Sequence, residues 1–106
     1  MDQQPVYTFA KWQVKEGQLG AVLSLLAEVA KKSIEEKGNL FYKIHQSNSD
    51  ANTLILFEGY TGDAAVEEHR NSAYFQQIVI GEIIPLLQNR EVILASQLDL
   101  EIREVK

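Results

Sequence analysis

Cysteine is absent from this chain of 106 residues. Its absence excludes disulfides, thiolate zinc sites, iron–sulfur clusters and cysteine nucleophiles. Histidine is nearly as scarce: His45 and His69 lie far apart and form no recognisable metal motif. Basic residues are outnumbered by acidic ones, 10 against 15, for a net charge of −5. The basic residues are also scattered, and Lys31, Lys32 and Lys37 are interleaved with Glu28, Glu35 and Glu36 as on a solvated helix face. That balance argues against nucleic-acid and anionic-membrane partners, which need a clustered basic patch. No apolar run approaches the ~20 residues of a bilayer span. The opening MDQQPVYTF has neither a basic n-region nor an apolar h-region, so no signal peptide is expected and the cytoplasm is the expected compartment. Phosphate-loop, dinucleotide-binding and nucleophile-elbow patterns are missing as well.

Hydrophobic residues make up 45% of the chain, enough for a core. The length predicts a single domain over 1–106, with its core over about 6–97. A chain this short buries only about two-thirds of its unfolded surface, which favours further burial by association.

Val6 to Val14 reads as a strand that begins after Pro5, with Val6, Thr8, Ala10, Trp12 and Val14 on one face. Gly17 ends it. Leu19, Val22, Leu23, Leu26, Val29, Ala30 and Ile34 then recur at helical spacing, and Lys37–Gly38 is expected to close that helix. Leu40–Ser47 and Thr53–Tyr60 flank the polar tip SNSDAN and predict a β-hairpin. Asp63 is expected to cap a short helix that ends at His69, and Gly59 and Gly62 read as turn glycines. A second helical stretch from Ser72 turns Phe75, Ile78 and Val79 inward, is weakened at Gly81, and leads to a last turn at Pro85.

The tail alternates from Glu91 onward and predicts a strand over 91–105, in which Val92 to Val105 would extend ~40 Å. Such a strand overshoots its own small sheet. It is expected to serve as the arm of a homodimer, and apolar residues assigned to the outer sheet face (Tyr7, Phe9, Leu54, Leu56) call for cover by a second sheet. The order β–α–β–β–α–β predicts an α+β, ferredoxin-like fold, an antiparallel sheet with helices on one face.

Several segments in this order carry a family resemblance. They are VKEG before the long helix, EEKGNLFYKIHQS, the strand end LFEGY, the helical pair DAAVEEHRNSAYF, and IIPLL before the last strand. The chain resembles the antibiotic biosynthesis monooxygenase family of dimeric α+β barrels from about Tyr7 to about Gln97. The resemblance implies a homodimer with a pocket between helices and sheet in each subunit. It also implies oxidation of a quinol-like or phenolic small molecule by O2 with no cofactor, neither metal nor flavin. Such chemistry needs a base, donors for the anion, and a dry cavity. Heme-degrading members carry an axial histidine further along the second helix; around Val79 there is none, so heme ligation is not expected. An isomerase using the same base, and a non-enzymatic ligand-binding or stress-associated protein of the same fold, are the alternatives.

His69 is the candidate base, because imidazole takes up a phenolic proton near neutral pH. As a histidine at a helix end it can equally serve the helix dipole. Glu58 alternates with Leu54 and Leu56 and is a second catalytic candidate, either orienting His69 or acting as base with a raised pKa, or else a structural acceptor for backbone or a partner-subunit cation. Tyr60 and Tyr74 are candidate donors to a bound oxyanion, or rim residues. Trp12, the only tryptophan, could stack on an aromatic ligand or simply fill the core. Asn39, at the strand entry, is a candidate pocket polar group or a turn residue. His45 is expected to face solvent or an interface.

Overall fold

A computed structural model describes residues 4–100. Strand β1 (Val6–Val14), helix α1 (Leu19–Ile34), strands β2 (Asn39–Gln46) and β3 (Thr53–Tyr60), helix α2 (Asp63–Asn71), a π-helix (Phe75–Ile83), a 3₁₀ turn (Ile84–Leu86) and strand β4 (Leu87–Ala95) follow in order. The strands form one antiparallel sheet in the order β2-β3-β1-β4, and the fold is the ferredoxin-like α+β arrangement.

The alternation in β1 decides which sheet face becomes the core. Val6, Thr8, Ala10, Trp12 and Val14 are all buried. Across the ladder they meet Tyr60, Glu58, Leu56 and Leu54 of β3, and Arg90 and Val92 of β4. Helix α1 lays Val22, Leu26, Val29 and Ser33 on this face, a stripe at spacings of three and four. Ile78, Val79 and Ile83 of the π-helix close the cluster.

Several expectations need correction. Helix α1 stops at Ile34, short of Lys37–Gly38. Tight i→i+3 bonds from Glu35 N to Lys32 O and from Glu36 N to Ser33 O end it early, using carbonyls an α-helix would leave open. Leu23 and Ile34 are exposed, since the buried stripe runs through Ser33 instead. Gly62, not Asp63, stands at the N-cap of α2, with no side-chain cap; Asp63 is the first helical residue, where its charge still meets the dipole. The next helix is π rather than α and runs through Gly81. Ser72 separates it from α2: its Oγ donates to His69 O at 2.7 Å and accepts from Phe75 N at 3.3 Å.

Strand β4 begins at Leu87, earlier than the expected Glu91, and its pairing with β1 runs to Ala95. Residues 96–100 continue without a ladder partner among the described residues, and the rest of the expected arm, 101–105, lies outside those residues. Leu54 and Leu56 do not belong to the outer face. They are fully buried under the helices, and the outer face is built from Tyr7, Phe9, Phe41 and Phe57.

Gly59 is not a turn residue; it lies within β3, and a Cβ there would approach the Phe41 ring to 2.4 Å. Gly59→Ala is therefore expected to destabilise the chain by about 1–3 kcal/mol through overpacking. Urea denaturation reads this directly, and an unchanged midpoint would mean that Phe41 yields freely.

Candidate functional site

The helix-covered side of the sheet encloses a cavity of about 30 Å³, lined among others by Thr8, Trp12, Tyr42, Glu58, His69, Arg70, Phe75 and Arg90. That is room for a water or two, far below the 300–1,000 Å³ typical of ligand pockets. The resemblance implied a pocket in this place; as the chain stands, the cavity seats a small group and not an aromatic ring.

Glu58 and His69 meet here. Strand β3 presents Glu58 on the inner face beside Leu56, and the last turn of α2 brings His69 over it. His69 Nε2 lies 3.7 Å from Glu58 Oε1. The other ring nitrogen, Nδ1, lies 3.0 and 3.2 Å from the two carboxylate oxygens of Glu36. With Glu36 accepting, Nδ1 carries the hydrogen and Nε2 is left as a proton acceptor facing Glu58. The result is a buried carboxyl–imidazole–carboxylate chain whose outer end approaches solvent: the side chains of Glu58 and Glu36 are 7% and 21% exposed.

The electrostatics follow from burial. Loss of water pushes the Glu58 carboxyl up to about 7, although the Tyr60 hydrogen bond and the charges of Arg70 and Arg90 pull it back. Burial also holds the His69 imidazole below its ordinary value, opposed by its bond to Glu36. The hydroxyls of Tyr60 and Tyr74 and that of Tyr42 are pushed upward, again chiefly by burial.

Not all candidates reach the cavity. Tyr60 is fully buried beside it and donates its hydroxyl to Glu58 Oε1 at 2.6 Å. Tyr74 donates to Glu36 Oε2 and contacts Ser33 Oγ at 3.1 Å. Both hydroxyls are thus engaged by carboxylates and orient them. Asn39 bonds Phe41 O at 3.1 Å as a strand-entry residue and does not line the cavity. Trp12 lines it from the sheet side, within the core. His45 is exposed on β2.

Three residues of the site were not singled out in the sequence. Glu36 was grouped with the solvated charges of α1, yet it continues the stripe Val22, Leu26, Val29, Ser33 by one more step of three. Arg90 shares the alternation of Val92 but lies ahead of the expected strand start at Glu91. Arg70 adjoins His69 and carried no separate signal. Because Glu36 raises the proton affinity of His69, Glu36→Gln is expected to lower that affinity. An NMR titration of the His69 ring checks this, and an unchanged or raised affinity would separate the two residues.

Comparison with known proteins adds to this geometry. The family model described as antibiotic biosynthesis monooxygenase matches residues 5–79. No curated protein matches the sequence. Among solved structures, the chain is similar to PA3566 from Pseudomonas aeruginosa, with 26% identity, a TM-score of 0.85, and coverage of 92% of this chain and 98% of that one. It is similar to Rv0793 from Mycobacterium tuberculosis at 25% identity and a TM-score of 0.83, over 92% and 99% of the two chains. A protein from Nitrosomonas europaea described as a putative antibiotic biosynthesis monooxygenase shares the fold at 20% identity, with a TM-score of 0.84 and coverage of 93% and 95%.

Proposed function

The chain belongs to the antibiotic biosynthesis monooxygenase family, and on that premise we propose that it is a cofactor-independent monooxygenase oxidising a quinol-like or phenolic small molecule with O2. The observation that carries this reading is the chain Glu58–His69–Glu36 beside the cavity. Glu58, with its carboxyl near 7, takes the phenolic proton. His69 Nε2, 3.7 Å from Glu58 Oε1, receives it once the two close to hydrogen-bond distance or through one bridging water, and Glu36 holds the resulting imidazolium through Nδ1. This order makes Glu58 the base and His69 its outlet.

Deprotonation leaves an electron-rich phenolate that itself reduces O2. A quinol with a free ring C–H plus O2 becomes a hydroxylated quinone plus water, the quinol supplying all four electrons. The apolar wall of Phe75, Val79 and Val92 keeps competing water out. Since the cavity is only about 30 Å³, a ring enters only when part of that wall moves. An oxygen electrode tests the proposal: the protein should consume O2 with a simple quinol faster than autoxidation. Turnover that persists under argon would replace this reading with a proton-shuttling isomerase.

The functional unit in this reading is a homodimer that covers the outer sheet face. Tyr7, Phe9, Phe41 and Phe57 stack there, with ring centroids 4.7–6.0 Å apart, around an open groove of about 530 Å³. Aromatic patches of this kind mark interaction sites. A second copy offers the same apolar face in return, as a two-fold interface requires.

A further inference from the structure

Trp12 holds the one buried side-chain nitrogen or oxygen without a hydrogen-bond partner among the described residues, its indole Nε1. The residue is only 3% exposed. An unpaired buried donor costs about 1–3 kcal/mol, and a Phe or Leu would fill the same strand position without that cost. Trp12 lines the cavity, and the β1–β4 register sets it directly opposite Arg90. Directly opposed residues share a face, with Cβ atoms about 5 Å apart. Arg90 also lines the cavity and makes no ion pair among the described residues. Partial burial lowers its proton affinity, the charge of Arg70 adds to that, and Glu58 opposes it.

Neither an indole N–H nor a guanidinium can accept a hydrogen bond, so this pair serves only an acceptor. We propose that the Trp12 indole N–H and the Arg90 guanidinium form a two-donor seat for a single anionic oxygen of an aromatic ligand, a phenolate. The cavity volume suits one oxygen rather than a ring. Glu58 lines the same cavity, so the group that receives the proton and the donors for the resulting charge border one space. The seat rests on the reading of Glu58 as base, and it gives the buried indole N–H a purpose that core packing does not.

Trp12 is the only tryptophan, so a 1H–15N correlation spectrum contains a single indole cross-peak. The probes are 4-nitrophenolate, an aromatic oxyanion that O2 does not oxidise, and nitrobenzene, which lacks the oxyanion. Saturable binding of 4-nitrophenolate with a downfield shift of the indole proton is expected, and nitrobenzene should leave that proton in place. Losing one charge-assisted bond should weaken 4-nitrophenolate about tenfold in Trp12→Phe and in Arg90→Gln. Arg90 is an exposed residue as a whole, so its variant keeps the test open if Trp12→Phe does not fold. Absence of binding, an unmoved indole peak at saturation, or wild-type affinity in Arg90→Gln overturns the seat. Quinol oxidation is measured separately. An indole shift without O2 consumption removes the monooxygenase reading and keeps the seat; O2 consumption with an unmoved indole does the reverse.

Discussion

Glu58→Gln is expected to reduce quinol-dependent O2 consumption by about 10²–10⁴-fold, the usual contribution of a positioned base. The same substitution has a stability signature that does not depend on any substrate. In the folded chain burial raises the Glu58 carboxyl from 4.5 to about 7. Between those values the folded state keeps a proton that the unfolded state has lost. Stability from this group is therefore fully present below about pH 4.5 and declines as pH rises through about 7. At 1.36 kcal/mol for each pH unit, the decline is about 3 kcal/mol. His69 acts in the opposite direction. Its folded proton affinity is depressed, so its contribution is lost as pH falls below about 6.5.

Glutamine imitates the neutral acid and still accepts from the Tyr60 hydroxyl. Wild type and Glu58→Gln should therefore melt together near pH 4 and diverge as pH rises. By pH 8 the variant should be the more stable, by on the order of 10 °C. Parallel melting curves from pH 4 to 8 would show that Glu58 stays ionised, and the base assignment would fall with them. The kinetic counterpart is a kcat/KM for wild type that rises with pH through about 7.

The second large effect concerns assembly. Wild-type protein is expected to scatter light as twice its 12.0 kDa, and Phe57→Asp as a monomer. Phe57 stacks on Phe9 and packs against Phe41, each at 4.7 Å between ring centroids, in the middle of the outer face. A central aromatic anchor contributes about 2 kcal/mol or more to an interface, and a buried unpaired carboxylate adds a further cost. Dissociation should therefore become at least about 30-fold easier. Circular dichroism of the variant separates loss of assembly from loss of fold. A wild-type mass of 12.0 kDa across the accessible concentrations would remove the dimer.

Local periodicity made most of the fold legible. The period of two in β1 identified all five inward residues, and the polar tip 47–52 placed the hairpin. The stripe of α1 was legible at Val22, Leu26 and Val29 and misleading at Leu23 and Ile34, because two apolar positions on its flank meet solvent while Ser33 is buried. Leu54 and Leu56 illustrate the other failure. Their alternation says that they share a face, but only pairing with Ala10 and Trp12 says which one. The β4 boundary was misplaced for a similar reason. The 3₁₀ turn at Ile84–Leu86 runs straight into the ladder without a polar break.

The amino-acid sequence by itself determined the element order, the ferredoxin-like class, the family resemblance, and Glu58 and His69 as the residues to watch. These depend on contacts near in sequence, where spacing sets the face. The tertiary structure alone decided that Glu36 holds the His69 ring, that the Tyr60 and Tyr74 hydroxyls belong to carboxylates, and that Arg90 stands opposite Trp12 at a nearly closed cavity. All but the Tyr60–Glu58 bond join residues distant in the chain. Their meeting depends on where a helix stops and which strands pair, and packing of the whole chain settles both.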